Sequence, residues 1–158
     1  MFESRPTQIW LALLGTSLAL ELAALFFQYQ LDYGPCILCV QIRAVLLLVI
    51  VLAAVALTLH FARKLLSLVL LPCTLTFAWF CYQVLGIERG WFEGSCTFEP
   101  PFPAWIPLHD WLPSVFEAWE LCGYTPDIIF GITMAEMLVA LSLLYVVANI
   151  WLLRRAFQ

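Results

Sequence analysis

Residues 35–59 read PCILCVQIRAVLLLVIVLAAVALTL: two cysteines and one arginine near the start, then an apolar run with no further charge. A helix rises about 1.5 Å per residue and a bilayer core takes about 20 residues to cross. This stretch is therefore long enough to span a membrane as one helix. Three other runs share its character, at 9–27, 65–85 (with Pro72 inside) and 128–153. None alternates as a strand would, and in lipid only helices and closed barrels satisfy the backbone. The expected fold is all-α: an integral membrane four-helix bundle, one domain over 1–158, with a long loop at 86–127. The first run is too long for the apolar core of a signal peptide and lacks a small-residue cleavage site, so it reads as a retained helix.

Composition agrees. The chain is 64% hydrophobic and 11% charged, whereas a soluble domain is about half apolar and about a quarter charged. A net charge of −4 with no basic patch argues against nucleic-acid binding. The placement of charge says more than its sum. Arg5, Arg63, Lys64, Arg154 and Arg155 fall at the N-terminus, the turn after the second run and the C-terminus. Four spans put all three on one side, which the positive-inside rule makes the cytoplasm. The opposite side carries Arg89 and the acids Asp32, Glu88, Glu93, Glu99, Asp110, Glu117, Glu120 and Asp127. Cys36, Cys39, Cys96 and Cys122 then all face the outer compartment, where disulfides persist.

The long loop has its own pattern. Between Phe102 and Trp119, Trp105, Trp111, Val115 and Phe116 are punctuated by Pro103, Pro107 and Pro113. The segment is too broken to span. Tryptophan favours the membrane–water interface, so a short interfacial helix on the outer surface is expected. The alternative is a compact loop packed on the helix ends.

Chemistry gathers at the start of the second run. Pro35 suits the first helical turn, placing Cys36 at a helix N-terminus, where partial positive charge lowers a thiol's pKa. Steps of three and four residues keep Cys36, Cys39 and Arg43 within an arc of about 60°. A guanidinium one turn below a thiolate would stabilise it. Arg43 is costly so far into a membrane helix and reads as functional, snorkelling to the headgroups being the plainer account.

C-x-x-C also fits zinc, with Cys96 and Cys122 as further ligands, but 25 residues separate that second pair. Val40 follows Cys39 where haem attachment would need histidine. Cys96 and Cys122 are open to two readings, a structural staple or an exchangeable bridge. Cys73 and Cys81, inside the third run, read as small apolar residues. Glu21 and Glu136 are intramembrane acids, with helix packing and proton transfer both open. His60 marks a helix end and His109 the loop surface.

Taken in order, these residues resemble the DsbB family of bacterial disulfide bond formation proteins. Leu20-Glu21-Leu22 through Phe27-Gln28 is similar to the end of the family's first helix. Pro35-Cys36-Ile37-Leu38-Cys39 with Arg43 is similar to its C-x-x-C and quinone-side arginine. Cys96, then Phe102-Pro103-Ala104-Trp105-Ile106-Pro107-Leu108, Trp111, Pro113 and Val115-Phe116, then Cys122, is similar to its second cysteine pair flanking a horizontal helix.

The resemblance implies a protein-dithiol:quinone oxidoreductase of the bacterial inner membrane, with both termini cytoplasmic and the 86–127 loop periplasmic. A DsbA-like periplasmic thioredoxin-fold partner would deliver its dithiol to Cys96–Cys122. Electrons would pass to Cys36–Cys39 and on to a membrane quinone, ubiquinone or menaquinone, with Cys39 and Arg43 beside it. Gln28 matches a family position close to the quinone. The chain departs from some members in having Ile42 where they carry an acid, and no histidine in the segment just before Cys96. The vitamin K epoxide reductase type has its C-x-x-C after the loop cysteines, the reverse of the order here. A non-catalytic tetraspan protein with a stapled loop is the rival from another class.

Overall fold

In the computed structural model, residues 4–91, 93–94, 102, 106–123, 125–129 and 131–158 are described. Four long helices carry the architecture: α1 (Ser4–Gln30), α2 (Ile37–Thr58), α3 (Arg63–Glu88), and α6 (Met134–Ala156). All four are long and apolar enough to cross a membrane. Between α3 and α6 lie two single-turn helices, α4 (Leu108–Trp111) and α5 (Pro113–Phe116), and a hairpin of β1 (Asp127–Ile129) and β2 (Ile132–Thr133).

The helices pack in sequence, α1 on α2, α2 on α3 and α3 on α6. The core between them is apolar, with Trp10, Val49, Ala53, Leu70 and Phe77 almost wholly enclosed. Cys73 and Cys81 belong to it. Large side chains such as Leu22, Val51, Leu65, Leu144 and Val147 point outward, as helices solvated by lipid require. Small hydroxyl residues join α1 to α6, where Tyr145 Oη meets Thr16 Oγ1 at 2.7 Å and Ser17 Oγ at 2.8 Å. Asn149, fully enclosed on α6, donates to the Ser67 carbonyl of α3 at 3.1 Å. Polar pairs of this kind hold helices together where water is absent.

The boundaries differ from the sequence expectation for local reasons. The fourth helix starts at Met134 rather than 128, because Asp127–Thr133 forms the hairpin, turned by Gly131 at φ 79°. Thr133 then caps α6: its hydroxyl accepts from Glu136 N, and the Glu136 carboxylate accepts from Thr133 N. Glu136 also pairs with Arg89, so it is a capping acid in the first turn of α6. The expected interfacial helix is two separate turns. Pro113 has no N–H with which to continue α4, and Leu112 leaves the helical region at φ −138°, ψ 67°. Trp111 and Trp119 face outward, while Phe116 is fully buried. The segment is thus packed onto the helix ends.

Candidate functional site

The second helix begins at Ile37, two residues later than the sequence suggests. Cys36 is its N-cap, extended at φ −82°, ψ 168°, and its sulfur accepts from Cys39 N at 3.3 Å. An N-cap places its side chain over the first turn, so the Cys36 and Cys39 Sγ atoms stand 2.7 Å apart.

Cys122 reaches the same place from the loop. Trp119 N donates to Pro35 O at 3.0 Å, and Glu120 pairs with Cys36 in a short parallel bridge. Gly34 permits this approach, since a Cβ there would lie 2.8 Å from Glu120 Cγ. The Cys122 sulfur hydrogen-bonds the Cys36 thiol and receives the backbone N–H groups of Ile37 and Leu38.

This overturns one expectation. Cys36 was expected to be the thiol lowered by the helix N-terminus. Instead its hydrogen bonds to Cys122 and Cys39, with burial, raise it above the ordinary thiol value. Cys122 is lowered, to about 6, by the Cys36 hydrogen bond against the opposing effect of burial, with the two amide donors assisting. The helix N-terminus thus serves a sulfur that lies 86 residues away in sequence from the one it caps. Cys96 lies outside the described residues.

Below the cysteines lies a cavity of about 230 Å³. Leu20, Ala24 and Phe27 of α1 form one wall, Cys39, Ile42 and Arg43 of α2 a second, and Met134, Met137 and Leu138 of α6 a third. Tyr33, Gly34, Glu120 and the hairpin's Pro126 and Ile128 close the outer end. The lining is mostly apolar; its polar residues are Cys39 and Arg43 on α2 and Tyr33, Glu120 and Thr125 toward the outer end.

Arg43 is buried, its side chain running toward α1. Nη1 donates to Gln28 Oε1 at 2.6 Å and to Val115 O at 3.0 Å, and Nη2 donates to Ala24 O at 3.0 Å. This is not snorkelling: the head group is held inside the protein at 5% exposure. Gln28 is buried and does not line the cavity; it accepts from Arg43 and donates from Nε2 to Ser114 O at 3.0 Å. Tyr29 Oη donates to the same carbonyl at 2.6 Å. Glu21, one turn below Ala24, is buried, with no described hydrogen-bond partner for Oε1.

Sequence reasoning singled out Cys36, Cys39, Arg43 and Cys122, and the structure brings these four together. It missed the partners: Tyr29, the Ser114 and Val115 carbonyls, Gly34 and Glu120. Backbone carbonyls carry no side-chain signature, so only the fold could reveal them.

A bundle of membrane-spanning helices with Cys36 in contact with both Cys39 and Cys122 at one end defines a multi-pass membrane protein of thiol–disulfide chemistry. The family model for the disulfide bond formation protein DsbB matches residues 6–152. Curated relatives named disulfide bond formation protein B include one from Shewanella loihica, 35% identical over 143 residues, covering 88% of this chain and 84% of the relative. One from Shewanella frigidimarina is 37% identical over 154 residues, covering 91% and 86%. One from Haemophilus influenzae is 34% identical over 145 residues, covering 88% and 81%. The chain belongs to the DsbB family, a disulfide bond formation protein of the membrane.

Proposed function

We propose that the chain reoxidises a DsbA-like periplasmic dithiol oxidase and passes the two electrons to a membrane quinone. The observation that carries this is the contact series Cys122–Cys36–Cys39, which ends on the apolar cavity beside Arg43. Attack by a partner thiolate on Cys96 forms a mixed disulfide, breaks the Cys96–Cys122 bond and releases Cys122 as a thiolate. Cys122 attacks Cys36; the Cys36–Cys39 bond breaks and Cys39 leaves as a thiolate on the cavity wall. The partner's second thiol resolves the mixed disulfide, and Cys96 then displaces Cys36 from Cys122, leaving both electrons on Cys36 and Cys39. Exchange of this kind needs an attacking thiolate and a reachable sulfur, and a thiol brought to about 6 is largely ionised at neutral pH.

The cavity suits the flat head group of a lipid-soluble acceptor, ubiquinone or menaquinone, whose tail would stay in lipid. Its walls are apolar, and Cys39 and Arg43 are the polar groups α2 turns into it. The chemistry a bound quinone supplies is uptake of two electrons and two protons, which returns Cys36 and Cys39 to the disulfide. Cys39 meets it as the electron-donating sulfur, and Arg43 stabilises negative charge there. In this reading the loop face is periplasmic, both termini are cytoplasmic, and the membrane is the bacterial inner membrane.

The test is to mix purified protein with a reduced DsbA-like partner and a quinone and follow quinol by absorbance. Cys36→Ser and Cys39→Ser should each abolish quinol formation. Undiminished partner oxidation in Cys36→Ser would leave only a stapled, non-catalytic tetraspan protein.

A further inference from the structure

Residues 114–122 form a strap that crosses the outer end of the bundle and delivers Cys122 to Cys36. It is fastened at two places. At the far end, Trp119 N and Glu120 N donate to Pro35 O at 3.0 and 3.4 Å. At the near end, three side chains grip consecutive carbonyls. Gln28 and Tyr29 of α1 both donate to Ser114 O, at 3.0 and 2.6 Å, and Arg43 of α2 donates to Val115 O at 3.0 Å. Arg43 in turn holds Gln28 Oε1 at 2.6 Å, so the three act as one polar group. Phe116, the next residue, is fully buried and pins the strap between the two fastenings.

The near fastening is costly to build and is specific. Gln28 is 3% exposed and Arg43 5%, and polar groups so enclosed must find partners. Beyond α1 and α2 themselves, the partners they find are on the strap. Gln28 does not line the cavity, so a contact with a bound acceptor does not account for its burial.

We propose that Gln28 and Tyr29 are positioning residues for the Cys122–Cys36 exchange: through the Ser114 carbonyl they hold the strap in the register that sets Cys122 against Cys36. The inference rests on the relay reading above and assigns these two residues to its thiol step instead of its quinone step. Arg43 belongs to both, since it grips Val115 and also lines the cavity.

The test uses the full chain carrying Cys39→Ala and Cys96→Ala, which leaves Cys36 and Cys122 as the pair at the site. The purified protein is oxidised with glutathione disulfide, without quinone or partner, and the Cys36–Cys122 bridge is timed by peptide mass spectrometry. Loss of one net hydrogen bond should slow bridge formation about fivefold, so Tyr29→Phe and Gln28→Leu should each do so, and together by more than about tenfold. Tyr29 is half exposed, so Tyr29→Phe keeps the test available if Gln28→Leu fails to fold. A merely structural role predicts a lower melting temperature with an unchanged bridging rate. Rates within twofold of the parent in every folded variant overturn the proposal and leave the relay standing. A parent that forms no bridge at all overturns the relay reading itself, and this inference with it.

Discussion

Replacing Cys36 with alanine should change how Cys122 reacts with an alkylating agent in a way that reverses sign with pH. The Cys36 hydrogen bond is the largest influence bringing Cys122 from the ordinary 9.0 to about 6. In Cys36→Ala that donor is gone, and burial offsets the Ile37 and Leu38 amides, so the thiol returns toward 9.0. At pH 7 the thiolate fraction then falls about 90-fold, since one sulfur is about nine-tenths ionised and the other about one-hundredth. Intrinsic nucleophilicity moves the other way. With a Brønsted slope of about 0.4–0.5, three units of basicity make the variant's thiolate roughly 15- to 30-fold faster. The net at pH 7 is a variant only about three- to sixfold slower. At pH 5 it is roughly 40-fold slower, while at pH 9 it is roughly tenfold faster, the curves crossing between about pH 7 and 8. The assay is pulsed iodoacetamide on phosphine-reduced protein, quantifying the Cys122 peptide by mass spectrometry across that range. Parallel profiles, or a parent midpoint above pH 8, would refute the assignment of Cys122 as the activated sulfur.

Three other outcomes are expected. Because the docked Cys122 sits below the ordinary thiol range, docking of the strap is favoured at high pH and weakens as pH falls through about 6; limited proteolysis between residues 106 and 122 should accelerate at pH 5 relative to pH 8. Gly34→Ala would set a methyl 2.8 Å from Glu120 Cγ, and relieving that overlap should cost about 1 kcal/mol of strap docking, read as roughly fivefold slower Cys36–Cys122 bridging. Thr133→Ala removes one half of the α6 capping box and should cost about 1 kcal/mol in detergent unfolding, with the bridging rate unchanged because the cap lies outside the strap.

The spans were legible because length and hydropathy alone decide what can cross a bilayer. Their ends were less so. Whether Cys36 lies inside the helix or caps it depends on its ψ of 168°, which Pro35 before it permits but does not impose. That one dihedral exchanges the roles of two thiols. Helical spacing placed Cys39 and Arg43 on one face, and the cavity has both on its wall. The cavity's third wall comes from Met134, Met137 and Leu138, nearly a hundred residues on, and nothing local in those residues marks them for a site. The same holds for Ser114 and Val115, which contribute carbonyl oxygens any residue could supply. Pro113 did announce a break, and the helix does break there.

What Arg43 lacks is as informative as what it holds. Its three hydrogen-bond acceptors, Gln28 Oε1, Val115 O and Ala24 O, are all neutral. Among the described residues it takes part in no ion pair; Glu21 is the acid near enough to act on it through space. Burying a guanidinium with neutral partners alone leaves its charge largely uncancelled, in surroundings where charge is weakly screened. A protein that needed Arg43 only to fasten the strap would do as well with a neutral donor, without that cost. The uncancelled charge faces the cavity wall it shares with Cys39, so it favours whatever negative charge appears there, first on the sulfur and then on an acceptor beside it. Arg43→Gln separates the two duties by size: the shorter, neutral amide cannot keep all three hydrogen bonds, so bridging of Cys36 to Cys122 should slow by about five- to tenfold, as in the Gln28 and Tyr29 variants. Quinone-dependent turnover should fall by about a hundredfold or more, the range seen when one preorganised charge donor is removed. Equal losses in the two assays would mean that Arg43 serves the strap alone.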